Sequence, residues 1–262
     1  MMIPTDSVNL YAEETGEQGS RVLLLHGWGC DSSLMRPVAE RLKDRHRLLA
    51  IDFPGHGKSD RPPEPWGVPE FARNLSGALR KTGFFPCAVI AHSFGCRVAA
   101  WLAAEEPELF TKLIFTGAAG IRAPQTEEGR KKAEKYQKQK KIYAAMRKTG
   151  VLAPLADRLG KIARDRNSSP DYRALDEEMK KTFVKVISLD LTDLYPEIRQ
   201  STLLLWGDAD TETPLWMGRK MEELIPDAGL AVLEGGSHFA YLEQVDRFAL
   251  IAGTFLKEET EA

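Results

Sequence analysis

The chain has 262 residues, of which 43% are hydrophobic, and a formal net charge of −2. This length suffices for one large α/β domain with an insertion, or for two modest domains. The small net charge disfavours a dedicated nucleic-acid binder, for which a strongly basic domain is expected. Cys30, Cys87 and Cys96 are scattered and odd in number, so neither a disulfide framework nor a zinc site is predicted.

Short apolar runs alternate with helical patterns along most of the chain. Strands are predicted at residues 8–14, 21–26, 47–51, 87–91, 112–116, 202–206 and 229–233. Helices are predicted up to about residue 43, at 69–81, at 95–104, up to 224 and at 244–256. We expect the first strand at a sheet edge, the second in the centre, and Ser32 and Ser33 as helix N-caps. This alternation predicts a mostly parallel central sheet with helices on both faces.

Strand signals disappear in residues 121–197, where the sequence becomes helical and rich in charge. We predict that this segment is an inserted helical cap, or lid, between two core segments at 1–120 and 198–262. It carries 18 Lys and Arg against 12 Asp and Glu, a net charge of +6. A solvated helix face is the expected explanation, and a basic rim that recruits an acidic substrate or partner is the alternative.

The apolar strand at 87–91 and the helix from Gly95 are separated only by a tight turn with Ser93 at its tip. The segment Ala91-x-Ser93-x-Gly95 matches the nucleophile elbow G-x-S-x-G, with Ala91 in place of the first glycine. The small flanking residues allow strand and helix to approach closely, which holds the serine in a strained, exposed conformation. Ser93 is therefore the predicted nucleophile.

A serine hydroxyl needs a base to accept its proton, a group that orients the base, and donors for the oxyanion. His238 lies in a glycine-rich loop after the last predicted strand and can supply the base. Three acidic residues, Asp208, Asp210 and Glu212, lie in the loop after the preceding strand and can orient it.

Taken together, these motifs resemble the α/β-hydrolase family. Three features carry the resemblance, which covers about residues 21–120 and 200–257. They are the chain order Ser93, Asp210, His238, the early segment His26-Gly27-Trp28-Gly29, and the loop Asp52-x-Pro54-Gly55-x-Gly57-x-Ser59. It implies an α/β-hydrolase fold and selects Asp210, because the spacing of Gly207, Asp210 and Pro214 fits the family pattern. It also implies an oxyanion hole formed by the backbone N–H groups of Trp28 and Phe94.

The side chains of Trp28, Phe94 and Phe239 are candidates for the substrate pocket, although large aromatic residues also serve as core. His56 and His92 are expected to be structural, and Cys30 and Cys96 to be small buried residues. No metal cluster competes with these residues, and no metal or cofactor is expected.

A serine at the elbow favours acyl transfer to water, because the resembling epoxide and haloalkane hydrolases use aspartate there. The front end looks most like carboxylesterases of the pimeloyl-acyl-carrier-protein methyl ester type, although their elbow reads Gly-Trp-Ser-Leu-Gly and this one Ala91-His92-Ser93-Phe94-Gly95. We therefore predict a serine carboxylesterase for small to medium acyl esters. The alternatives are a proline iminopeptidase, with Glu127, Glu128, Glu134 or Asp157 holding the amino terminus, a C–C bond hydrolase, and a non-catalytic ligand-binding protein.

The expected partner is a small-molecule ester, either free or linked to a carrier protein, and neither nucleic acid nor a membrane. The sequence shows no secretory signal and no apolar run long enough to span a bilayer, so a cytoplasmic protein is predicted, as a monomer or homodimer.

Overall fold

The computed structural model describes residues 1–122, 127–150, 152–167, 172–173 and 175–257. The chain divides into two compact units, one formed by Met1–Ile121 and Lys181–Ala262 and the other by Arg122–Lys180. Among the described residues, no helix combines the length and the apolar character needed to cross a membrane.

The first unit is built around one eight-stranded sheet with the order β1-β2-β4-β3-β5-β6-β7-β8. Its strands are β1 Met2–Pro4, β2 Asn9–Thr15, β3 Ser20–Leu25, β4 His46–Ile51, β5 Cys87–His92, β6 Phe110–Thr116, β7 Ser201–Gly207 and β8 Ala228–Leu233. β1 pairs antiparallel with β2, and β2 with β4. All pairs from β4 to β8 are parallel, which confirms the predicted mostly parallel sheet.

Helices cover both faces of this sheet, as predicted. The α-helices of at least four residues are α1 Arg36–Leu42, α2 Val68–Thr82, α3 Phe94–Glu105, α4 Glu127–Lys148, α5 Ala153–Asn167, α6 Glu177–Ser188, α7 Leu215–Leu224, α8 Ala240–Glu243 and α9 Val245–Leu256. Successive residues of β3 point to opposite faces. Leu23 and Leu25 join the core formed with α2, α3 and α7, whereas Val22 and Leu24 join the core formed with α1, α8 and α9.

Two local predictions are wrong. The strand predicted at an edge, β2, lies one position inside, because β1 pairs with it and the Met1 amino group donates to Ala12 O at 2.7 Å. Ser32 and Ser33 do not cap the first helix. They lie in a 3₁₀ turn, Ser32–Met35, that Asp31 caps by accepting from Ser33 N at 2.9 Å, and α1 begins after that turn.

The second unit contains α4 and α5, which pair Glu127, Glu134 and Asp157 with Lys131, Arg130 and Arg147 in exposed ion pairs. The predicted insertion at 121–197 extends past this unit, because residues 181–197 belong to the first unit. There Leu191 and Tyr195 are almost completely buried in the core on the α2 and α3 side. The role of the insertion as a lid stays a prediction.

The loops that follow β7 and β8 pack with almost no space between their backbones. A Cβ at Gly207 would lie 2.1 Å from Gly236 O and 2.6 Å from Ser237 O. Ala209 N also donates to Gly236 O at 3.0 Å, so the two loops are fixed to each other at the carboxyl ends of their strands.

We predict that Gly207→Ala lowers the free energy of unfolding by about 1–3 kcal/mol, because backbone atoms would have to move to admit the methyl group. Gly229→Ala in β8 is the matched control, since a Cβ there meets nothing within 4 Å. Urea unfolding of the two variants checks this, and equal stability of both would contradict it.

Candidate active site

Ser93 joins β5 to α3 in a strained turn. Its φ of +50° is the one positive value among the described residues other than glycine. The conformation is held by backbone hydrogen bonds. Ser93 N donates to Thr116 O at 3.1 Å, and Ser93 O accepts from Cys96 N at 3.1 Å and from Ala119 N at 3.4 Å. Such strain costs on the order of 1–3 kcal/mol and is typical of functional positions.

Small residues beside Ser93 allow α3 to approach β3. A Cβ at Gly95 would lie 2.8 Å from Leu25 O and 2.9 Å from His26 O, so only glycine fits without displacing the strand. Cys96 Sγ donates to Ala91 O at 3.1 Å, and burial raises the pKa of this thiol. Cys96 therefore supports the turn as a neutral buried residue.

Asp210 and His238 form a buried hydrogen-bonded pair. His238 Nδ1 lies 2.9 Å from Asp210 Oδ2, and Asp210 Oδ1 accepts from the backbone N–H groups of Glu212 and Thr213, each at 2.9 Å. Burial opposes the charge on Asp210, but the hydrogen bonds from His238 and Thr213 outweigh it and lower its pKa. Asp210 is therefore a carboxylate at neutral pH, and it can hold the His238 ring with Nε2 free to accept a proton.

The two other acidic residues of this loop have different partners. Asp208 Oδ1 accepts from Gly235 N at 2.6 Å, and the contacts described for Glu212 involve its backbone N–H. Of the three candidates, the structure brings Asp210 to His238.

His238 packs against residues that flank Ser93. Its Nδ1 would be 3.1 Å from a Cβ at Gly117, which directly follows the Thr116 carbonyl bonded to Ser93 N. The His92 ring lies 4.7 Å from the His238 ring, measured between centroids. The Ser93 hydroxyl has no hydrogen-bond partner within the part of the chain that the structure describes.

The loop after β3 is fixed by His26. The Nε2 of His26 accepts from Phe53 N at 2.9 Å, so Nδ1 carries the proton and donates to Gly27 O at 2.7 Å. Burial lowers the pKa of His26, which keeps the ring neutral. The backbone N–H groups of Trp28 and Phe94 have no hydrogen-bond acceptor among the described residues, as an oxyanion hole requires.

An aromatic cluster adjoins these two N–H groups. The Trp28 ring lies 4.8 Å from His56, 5.3 Å from Phe94 and 5.2 Å from Phe183. Of the predicted pocket residues, Trp28 and Phe94 thus lie together. The Phe239 ring packs 5.0 Å from the His92 ring and 5.5 Å from the His238 ring, and its place in a substrate pocket stays a prediction.

The model of the alpha/beta hydrolase family matches residues 22–249, which is most of the chain. The chain belongs to the alpha/beta hydrolase family. It is a hydrolase, and the match confirms the family resemblance and the fold predicted from the sequence.

Similar proteins include hydrolases of several kinds. The pimeloyl-[acyl-carrier protein] methyl ester esterase of Chromobacterium violaceum is 26% identical, over 97% of this chain and 100% of its own length. The 2-hydroxy-6-oxo-6-phenylhexa-2,4-dienoate hydrolase of Burkholderia cepacia is 28% identical, over 91% and 88%. The enol-lactonase structure from Burkholderia xenovorans superposes with a TM-score of 0.75 at 21% identity, covering 98% of this chain and 100% of that one, and this shows the shared fold.

Sequence reasoning missed Thr213 in this hydrolase. Its hydroxyl donates to Asp210 Oδ2 at 2.7 Å and lies 3.2 Å from His238 Nδ1, so it touches both members of the pair. A threonine three residues after an aspartate is a turn signal in which side chain and backbone share hydrogen bonds. That signal could have indicated Thr213.

Two buried histidines near the site are expected to make stability depend on pH. Burial, together with the nearby His26 ring, lowers the pKa of His56 to about 3. Burial, together with the His238 ring, lowers the pKa of His92 to about 3. In the unfolded chain the pKa of histidine is about 6.5. Below that pH the unfolded chain binds protons that the folded chain does not.

We predict that the free energy of unfolding falls as the pH is lowered from about 6.5 towards 3, by about 1.4 kcal/mol per pH unit for each of these histidines. Urea unfolding at pH 7 and pH 5 measures the effect. In His56→Gln, we expect the dependence of the free energy of unfolding on pH to be weaker by the contribution of one histidine, about 1.4 kcal/mol per pH unit. Equal stability of the wild type at the two pH values would show that these rings are not buried neutral.

Proposed function

We propose that this hydrolase is a serine carboxylesterase that cleaves small to medium acyl esters through an acyl-enzyme. The buried Asp210–His238 hydrogen bond beside the strained Ser93 carries the proposal. A carboxylate that holds an imidazole near a serine hydroxyl is the arrangement required for nucleophilic acyl transfer.

In the proposed reaction, His238 Nε2 removes the proton of Ser93 as Oγ attacks the ester carbonyl. Asp210 stabilises the imidazolium that forms, and the N–H groups of Trp28 and Phe94 donate to the oxyanion. His238 returns the proton to the leaving alcohol, and water then repeats the sequence on the acyl-enzyme. The positive end of α3, which begins at Phe94, favours the same negative charge.

The charge pattern of the second unit supports an ester over a peptide substrate. A proline iminopeptidase needs a carboxylate to hold the substrate's amino terminus. Glu127, Glu134 and Asp157 lie in exposed ion pairs with a lysine or arginine, and the Glu128 side chain lies outside the described part of the chain. The net charge of +6 over residues 121–197 disfavours a substrate with a free, positively charged amino terminus. The esterase relative acts on a carrier-linked methyl ester, which supports an acyl ester that is either free or carried by a protein.

C–C bond hydrolysis is the second candidate, because the Burkholderia cepacia relative acts on a 2-hydroxy-6-oxo-dienoate. The same pair of Ser93 and His238 would serve that reaction, since it also needs a base and an oxyanion hole. The substrate therefore decides between the two candidates.

We predict turnover of p-nitrophenyl esters between acetyl and dodecanoyl, with kcat reduced at least about 10²-fold in Ser93→Ala. The acyl chain length that is cleaved fastest would indicate the length of the pocket that binds the acyl group. Turnover of 2-hydroxy-6-oxo-6-phenylhexa-2,4-dienoate without any ester turnover would favour the C–C bond hydrolase. Unchanged ester turnover in Ser93→Ala would contradict a serine mechanism, and tight ligand binding without any turnover would favour a binding protein.

Asp210→Asn is expected to lower kcat at least about 10²-fold, because the amide does not stabilise the imidazolium or fix its tautomer. Glu212→Gln makes the same chemical change two residues away, and we expect it to retain the wild-type kcat. Steady-state kinetics on the preferred ester compares the two. A larger loss of kcat in Glu212→Gln than in Asp210→Asn would show that Asp210 is not the carboxylate that orients His238.

A further inference from the structure

His92 directly precedes the nucleophile and is almost completely buried, with a relative exposure of 1%. Its Nε2 lies 3.0 Å from the backbone carbonyl oxygen of His238, 146 residues further along the chain. A carbonyl oxygen only accepts, so Nε2 carries the proton and donates it. We propose that His92 is a positioning residue, which through this hydrogen bond fixes the His238 loop against the elbow that carries Ser93. This inference rests on the proposed roles of Ser93 and His238.

The environment of the His92 ring restricts it to one position. Its centroid lies 4.7 Å from the His238 ring, 5.0 Å from Phe239 and 4.8 Å from Tyr241. A Cβ at Gly27 would lie 2.7 Å from its Nδ1. The His92 ring therefore contacts two loops: the loop after β3, which contains Trp28, and the loop after β8, which contains His238. The backbone of His92 continues directly into Ser93.

The other ring nitrogen indicates that the hydrogen bond, and not packing alone, requires a histidine. His92 Nδ1 is buried without a hydrogen-bond partner among the described residues. A buried acceptor without a partner is unfavourable, and an apolar aromatic ring would fill the same space without that cost. The Nε2 donor offers a gain that phenylalanine does not, because it pairs with a carbonyl of the catalytic loop.

Burial keeps this ring neutral and lowers its pKa to about 3, so His92 donates a single proton from Nε2 across the neutral range. If that donor is lost, the His238 carbonyl loses a buried partner and the loop is free to shift. Proton transfer from Ser93 depends steeply on the position of the imidazole, and a displacement of about 1 Å can reduce the rate by about 10²-fold.

Two variants separate the hydrogen bond from packing. His92→Gln keeps an N–H donor at the position of Nε2 but loses the ring, whereas His92→Phe keeps the ring but loses the donor. With the preferred ester, we expect His92→Gln to stay within about threefold of the wild-type kcat, and His92→Phe to lose at least about tenfold with KM unchanged. Tyr241→Phe, which removes only a buried hydroxyl on the neighbouring ring, is expected to match the wild type.

The NMR signal of the His238 Nδ1 proton gives a readout that does not depend on turnover. We expect this signal to broaden in His92→Phe, because a loosened loop exposes the proton to exchange with solvent, and to stay sharp in His92→Gln, although the loss of the ring shifts its position in the latter variant. The opposite order, or equal effects of the two variants on kcat and on this signal, would overturn the proposal in favour of packing. If His92→Phe does not fold, His92→Gln decides alone, since a loss larger than threefold would overturn it. Failure of the wild type to cleave any ester would refute the proposed function, and the NMR comparison would still test the position of His238.

Discussion

The site depends on a close approach between α3 and β3, which holds Ser93 at its strained φ. The hydrogen bonds from Ser93 N and to Ser93 O stabilise the turn, and Gly95 allows the first turn of the helix to lie against the Leu25 and His26 carbonyls, where a side chain would not fit. The sheet order places β3 directly beside β5, so the same contact also brings the Trp28 loop towards the first N–H groups of α3. The absence of a side chain at Gly95 therefore shapes both the turn at Ser93 and the start of α3, which contain the predicted nucleophile and one predicted oxyanion donor.

The loops that carry Asp210 and His238, the predicted acid and base, are joined by backbone contacts. Ala209 N donates to Gly236 O, and Gly235 N donates to the Asp208 carboxylate. These contacts join the loop that carries Asp210 to the loop that carries His238. Because parallel strands end at the same edge of the sheet, Ser93, Asp210 and His238, which follow β5, β7 and β8, lie at one edge of the sheet although they are far apart in sequence.

The elements and residues that could be predicted from the sequence are those marked by local patterns of residues. Apolar runs located the strands from β2 to β8, the small-x-Ser-x-Gly pattern pointed to the turn at Ser93, and the family resemblance selected Asp210, which the structure pairs with His238. β1 was missed because three residues that include a proline carry no strand signal of their own, and β2 supplies the pairing. The hydrogen bond between His92 and the His238 carbonyl and the burial of Tyr195 in the core depend on contacts between residues far apart in sequence, which no local pattern encodes. A helical pattern likewise does not indicate which unit a helix joins.

The electrostatics of the site explain how two adjacent imidazoles can have different roles. The His92 and His238 rings lie 4.7 Å apart, but the hydrogen bond to the Asp210 carboxylate is made by His238. A proton on His92 would lie in a dry environment beside a second positive ring, so burial and repulsion keep His92 neutral. In the proposed reaction, the proton of Ser93 therefore goes to His238, which is hydrogen-bonded to a carboxylate, and not to His92. The neutral ring can then hold the loop in place throughout the reaction without competing for the proton.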